Sequence, residues 1–172
     1  GLRDRRQAVG IALRRAVAMA YNSQEELDQI RKGQAIVAQQ IVPLNLPGND
    51  PNYISSVKYN PDLANRLLDK FGFKKGPNEY RTNPDGSPLT LTLYSNPTAL
   101  DRQYDELWDK SMKAIGIHLK VEKDKFAELI KREKECQLMM RQSAWIADYP
   151  DGENFIQLLY GPNSYQSNHG CL

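Results

Sequence analysis

Residues 89–94 read Leu-Thr-Leu-Thr-Leu-Tyr, with an apolar side chain at alternate positions and hydroxyls between them. That period of two puts the leucines on one face and predicts a strand over Leu89–Tyr94. The next eighteen residues change period. Leu100, Tyr104, Leu107, Trp108 and Ile115 recur at helical spacing, so Thr98–Ile115 is expected to be a helix that Gly116 stops. Ile117–Val121 alternates again and reads as a second strand. Lys125–Lys134 reads as a charged helix with Phe126, Leu129 and Ile130 inward, and Cys136–Ala144 as a third strand. Strand, helix, strand at these lengths requires parallel pairing through right-handed crossovers. The expected fold class is therefore α/β.

In open α/β sheets, ligands bind outside the carboxyl ends of the strands. The stretch Trp145-Ile-Ala-Asp148-Tyr149-Pro-Asp151 stands just past the third strand. A lone carboxylate between aromatic faces suits a cationic group on a small ligand better than it suits catalysis. Trp145 and Tyr149 are candidate cleft walls, by stacking or a cation–π contact, with core packing as the alternative. Asp148 could instead cap the helix expected at Glu153–Leu159 or pair with an arginine. Tyr94 and Asn96 lie at the end of the first strand, at the same edge if the strands are parallel, where they could meet a ligand's backbone. Asp151 is read as shaping the turn.

An enzyme is the weaker reading. Asp148 and Asp151 could form a carboxylate pair of glycosidase type, but nothing in a turn of this length fixes them on a common substrate. No Ser/His/Asp order and no Gly-rich phosphate loop occurs. His118 and His169 are isolated, and Cys136 and Cys171 lack zinc-type spacing, so neither a metal nor another cofactor is expected. The two cysteines could pair, but connectivity is not readable from sequence.

Composition sets the outer bounds. With 172 residues, 40% hydrophobic and 26% charged, the chain fits one packed domain or one large lobe. The net charge of +2, with both signs interspersed, makes no case for nucleic acid. Arg3, Arg5, Arg6, Arg14 and Arg15 fall on an expected first helix, about Arg5–Ala20, where they read as a solvated face opposite the stripe Val9, Leu13, Ala16, Val17 and Ala20. No apolar run approaches the ~20 residues that span a bilayer, and charges interrupt every apolar stretch of Gly1–Ala20, so no secretory signal is read there. Ser23 and Glu26 have capping-box spacing for a second helix ending near Gly33. Ile36–Val42 reads as a short strand or an extended arm, followed by a long loop with Pro43, Pro47, Gly48 and Pro51. Asn60-Pro61 opens a helix as N-cap and first helical residue, with Leu63, Ala64, Leu67, Leu68 and Phe71 as its buried face and Gly72 at its end.

With these segments placed, three stretches together resemble the family 5 extracytoplasmic solute-binding proteins, the peptide, dipeptide and nickel receptors of ABC importers. The first is Arg6–Asn22 continuing to Gly33-Gln-Ala35 and Val42-Pro43. The second is Tyr59-Asn-Pro-Asp-Leu-Ala-Asn-Arg-Leu-Leu68 with Phe71-Gly72. The third is Leu107 to Gly116-Ile117, then Trp145-Ile-Ala-Asp-Tyr-Pro-Asp151 and Phe155. One departure is Gly152, where the family pattern has proline, a change expected to alter the turn.

The resemblance implies one lobe of a type II periplasmic-binding-protein-like fold, three-layered around a mostly parallel mixed sheet. It implies that residues 1–172 form a single C-terminal lobe, a fragment of a longer two-lobe protein. It also implies capture of oligopeptides or dipeptides outside the cytoplasm, in the periplasm or at the cell-envelope exterior, and delivery to an inner-membrane ABC permease. Asp148 matches the carboxylate that takes the ligand's α-ammonium in the peptide-binding branch. A sensor or regulator that borrowed the same lobe is the alternative.

Overall fold

β1 (Thr90–Ser95) lies at the centre of a three-stranded sheet, flanked by β2 (His118–Lys123) and β3 (Met140–Arg141), and both neighbours run parallel to it. The computed structural model describes residues 2–163. Leu91, Leu93 and Ser95 alternate onto one face and are buried there. Against that face pack α1 (Leu2–Ala20), α3 (Pro61–Lys70) and α4 (Ala99–Ala114). Their contribution includes Ala16, Met19, Ala20, Ala64, Leu68, Met112 and Ile115, joined by Phe73, Ile117 and Leu119. Each such leucine contributes about 1.5–3 kcal/mol over its exposed state. The other face carries Tyr94, with the guanidinium of Arg132 from α5 (Phe126–Lys134) 4.6 Å from its ring centre.

Several elements follow the sequence reading closely. Asn60 caps α3, its Oδ1 accepting from Leu63 N at 2.9 Å, and Pro61 opens the helix. Thr98 caps α4, its Oγ1 accepting from Asp101 N at 3.0 Å. Besides Leu63, which is 43% exposed in the first turn of α3, two more apolar residues expected inside are outside: Leu100 is 49% and Phe126 63% exposed. Both sit in the first turn of helices that begin at the carboxyl edge of the sheet, beyond the reach of the core.

Other expectations are corrected. The second helix is capped by Asn22, not Ser23. Asn22 Oδ1 accepts from Glu25 N at 3.1 Å, because its short amide, one residue earlier, already reaches the first turn. Only Ser23–Glu25 (α2) is α-helical, and Glu26–Ile30 continues as a π-helix. The Glu26 carboxylate is drawn away to the Tyr21 hydroxyl (2.7 Å) and to Arg31 (3.2 Å). Ile36–Val42 forms no strand; it is an irregular arm whose Val42 alone is buried.

The third strand shrinks from the expected Cys136–Ala144 to two residues. Cys136, at φ +56°, still completes the end of α5 through its N–H to Glu133 O. Beyond Arg141, β1 has run out of ladder, since Tyr94 pairs with Arg141 and Asn96-Pro97 turns away toward α4. The three strands are all parallel, so the expected mixed sheet reduces to isolated antiparallel bridges at Lys75–Arg81 and Thr82–Pro88. Cys136 is disulfide-bonded; Cys171 and His169 lie outside the described residues. No helix among the described residues is long and apolar enough to cross a membrane.

At the amino edge of the sheet, one buried cation gathers the loops. Arg81 is 2% exposed. Its Nε donates to Ile115 O (2.7 Å), its Nη1 to Phe73 O (2.5 Å) and Asp69 Oδ1 (2.6 Å), and its Nη2 to Asn65 Oδ1 (2.8 Å). Replacing Arg81 by methionine keeps most of the packing volume but strips two buried carbonyls of their donor. It is expected to cost about 3 kcal/mol or more, read from urea unfolding midpoints at unchanged slope.

Candidate functional site

Parallel pairing brings the ends of all three strands to one edge. Ser95-Asn96 leaves β1, Lys123-Asp124 leaves β2, and Gln142 onward leaves β3. α4 starts three residues after β1 and runs back along the sheet, so its first turns overhang this same edge. From there Asp105, 7% exposed, reaches down. Its Oδ2 accepts from Ser95 Oγ at 3.1 Å and from the Lys123 ammonium, which also donates to Asn96 O at 3.2 Å. This ion pair closes the β1–β2 side of the edge.

The edge is polar but incompletely satisfied. Four buried side-chain atoms among the described residues have no hydrogen-bond partner: Asn96 Oδ1, Tyr104 Oη, Asp105 Oδ1 and Asn154 Nδ2. Three belong to residues at this edge, and the fourth to the residue that holds Trp145. Leaving such groups unmade costs roughly 1–3 kcal/mol each, so their concentration in one place separates this edge from the rest of the molecule. Burial pushes the Tyr104 hydroxyl above its usual range, with the guanidinium of Arg31, 5.3 Å from the ring centre, working against it.

The segment after β3 carries the predicted residues. Asp148 is exposed and makes no hydrogen bond or ion pair among the described residues. Asp148 does not cap the helix that follows; there Asp151 Oδ1 accepts from Glu153 N at 2.8 Å, in the turn just before α6 (Glu153–Ile156). That bond commits Asp151 to the turn. Trp145 is 47% exposed, and its Nε1–H donates to Asn154 Oδ1 at 2.8 Å. Tyr149 is 42% exposed, and its hydroxyl donates to Glu153 Oε2 at 2.7 Å, which raises its pKa. Both aromatic residues are therefore surface side chains, not core.

Asn96 and Tyr94 sit at the end of β1, but neither is an open contact. The Asn96 carboxamide oxygen is buried, and the Tyr94 ring is covered by Arg132. His118 is an exposed strand residue, with its Nδ1 3.4 Å from Thr90 Oγ1. No group of three or more His, Cys, Asp or Glu among the described residues could hold a metal.

Sequence reading missed Asp105, Lys123 and Asn154. A signal existed for the first: Asp105 follows Tyr104 on the buried side of an amphipathic helix, where a lone carboxylate needs a partner. The groove between the π-helix and α4, about 220 Å³ and lined by Glu25, Gln29, Ile30 and Lys110 among others, holds no orphaned polar atom.

The model of the bacterial extracellular solute-binding proteins, family 5 (middle region), matches residues 8–167. The chain belongs to this family. Di/tripeptide-binding protein 2 of Pseudomonas aeruginosa (strain UCBPP-PA14) is 30% identical over 157 residues, covering 90% of this chain and 27% of the relative. The dipeptide-binding protein of Escherichia coli (strain K12) is 23% identical over 150 residues, covering 87% and 26%.

Among solved structures, the periplasmic oligopeptide-binding protein of Thermotoga maritima superposes with a TM-score of 0.76 at 20% identity, covering 88% of this chain and 30% of that one. NikA from Brucella suis, in complex with Fe(III)-EDTA, gives 0.72 at 24% identity, covering 92% and 32%. These likenesses show the fold, that of the periplasmic binding proteins. The chain spans about a quarter of the length of the curated relatives it matches. These relatives are named for binding, not for a reaction.

Gly152, the departure from the family pattern, does more than alter a turn. Its N–H donates to Pro47 O at 3.2 Å, a bond that proline could not make. A Cβ at this position would lie 2.5 Å from that oxygen and 2.9 Å from Val42 Cγ1. The bare backbone lets the arm dock against the turn that carries Asp151 and Asn154. Gly152→Ala is expected to cost about 1–3 kcal/mol by overpacking. It should also shift the emission of Trp145, measured in a Trp108→Phe background so that one indole reports.

Proposed function

We propose that this chain is the ligand-binding lobe of an extracytoplasmic importer receptor that captures short peptides or other amine-bearing solutes. The observation that carries the reading is Asp148, an exposed carboxylate with no partner among the described residues, placed in the chain between two surface aromatics in the segment that leaves the carboxyl end of β3. An ammonium brings three donors and a full charge, and a carboxylate offers only acceptors. Once a cleft closes over it, this charge-assisted bond is roughly twice as strong as a neutral one.

Trp145 and Tyr149 supply flat faces on either side, suited to a peptide's side chains or to the cation itself. The relatives support this reading, since the Pseudomonas and Escherichia proteins are named as binders of dipeptides and tripeptides. A structural neighbour from Helicobacter pylori is described in complex with the peptide STSA. In the full-length protein, hinge closure of a second lobe would complete the cleft and present the load to an ABC permease. This function belongs in the periplasm or at the envelope exterior.

Titration of the chain with trialanine, followed by amide shifts in nuclear magnetic resonance, tests the proposal. Trialanine is expected to perturb residues 145–149 with weak affinity, because one lobe makes half of the contacts. N-acetyl-trialanine, which lacks the ammonium, is expected to leave them unmoved, and Asp148→Asn to weaken trialanine about tenfold. Equal binding of the free and acetylated peptides would remove Asp148 from the site.

A further inference from the structure

We propose that Asn154 is a positioning residue of the ligand edge, its buried carboxamide fixing the Trp145 indole that walls the Asp148 site. The proposal rests on the reading of Asp148 given above. Asn154 is 1% exposed and Trp145 47%, so a buried group holds a surface ring by its one polar atom. The indole has a single donor, and its 2.8 Å bond to Asn154 Oδ1 selects the ring orientation.

The anchor is itself fixed. Asn154 N donates to Asp151 O at 3.2 Å, and Gln157 Nε2 donates to Asn154 O at 3.1 Å. The preceding Gly152 is tied to Pro47 O. The second wall hangs from the adjacent residue, through the Tyr149 hydroxyl on Glu153. The two rings on either side of Asp148 in the sequence are therefore set by consecutive residues of one helical turn.

Packing does not account for an asparagine here. Its Nδ2 is buried without a well-formed hydrogen bond, reaching only toward the Tyr149 hydroxyl, and an apolar side chain of the same shape would avoid that cost. What the carboxamide uniquely provides is the acceptor for the Trp145 N–H.

The test is Asn154→Leu in the full chain, with trialanine as the probe. The variant is expected to melt at or above the wild-type temperature. Its Trp145 indole N–H should exchange faster with solvent, and trialanine affinity should fall about five- to tenfold. In a Trp145→Phe background, Asn154→Leu is expected to cause no further loss. If the leucine variant does not fold, Asn154→Ala removes the same bond and carries the comparison. A freed indole with unchanged trialanine affinity overturns this proposal alone, as does an undiminished loss in the Trp145→Phe background. No perturbation of residues 145–149 by trialanine in the unmodified chain would overturn the reading of Asp148, and this proposal with it.

Discussion

The Arg81 guanidinium is the constraint on which the arrangement turns. Its planar fork meets four acceptors from separate parts of the chain: the Asn65 and Asp69 side chains on α3, the Phe73 carbonyl beyond it, and the Ile115 carbonyl at the end of α4. A lysine could supply the charge but not this spread of donors. The last carbonyls of a helix lack intrahelical partners and carry the negative end of its dipole, so a cation there is doubly favoured. Arg81 N donates to Gly116 O at 2.7 Å, and Gly116, at φ +70°, turns the chain into β2. A side chain at that glycine would begin 2.8 Å from Glu79 O. The register of β2 on β1 is therefore fixed from the amino edge.

Fixing one edge frees the other. The amino edge has a satisfied cation and closed loops. The carboxyl edge has the Asp105–Lys123 pair, the orphaned atoms of Asn96, Tyr104 and Asp105, and the exposed aromatics of the segment after β3. This division of labour follows from polarity. In a parallel sheet with helical returns, all strand ends point one way and all returning helices end at the other. Stability can be concentrated where the helices end, and recognition where the strands do. The unmet hydrogen bonds and surface rings are tolerated because they lie outside the core that α1, α3 and α4 share with β1.

Much of this was readable from the residues because the informative patterns are local. The alternation in Leu89–Tyr94, the Asn60-Pro61 start and the Gly116 stop act within a turn or a strand. The parallel pairing then follows from segment lengths, and with it the shared edge. What escaped depends on contacts between residues far apart in the chain. Arg81 looks like one more charge in a polar loop until α3 and the end of α4 surround it. Gly152 looks like a loosened turn until Pro47, over a hundred positions earlier, is found against it. The third strand misled because its sequence allows nine extended residues, whereas β1 offers a ladder for two. Asn22 displaced Ser23 as a cap because both are good caps and the choice is made by where α1 ends.

The same fold, at a quarter identity or less, is found in complexes with Fe(III)-EDTA, with the peptide STSA and with mannohexaose. Guests so different cannot be selected by the sheet or its helices, which the structures share. In those proteins the fold alone does not choose the guest, which leaves the choice to side chains that the fold presents without depending on them. The segment Trp145–Tyr149 has that character: its side chains are largely exposed, it contributes no residue to the main core cluster, and its rings are held from behind by Glu153 and Asn154. On the proposed reading, Asp148 within this segment gives the edge a preference for positive charge. On the same reading, the anchoring lies one turn away in α6, so the residues proposed to meet the guest can differ while the frame that aims them stays the same.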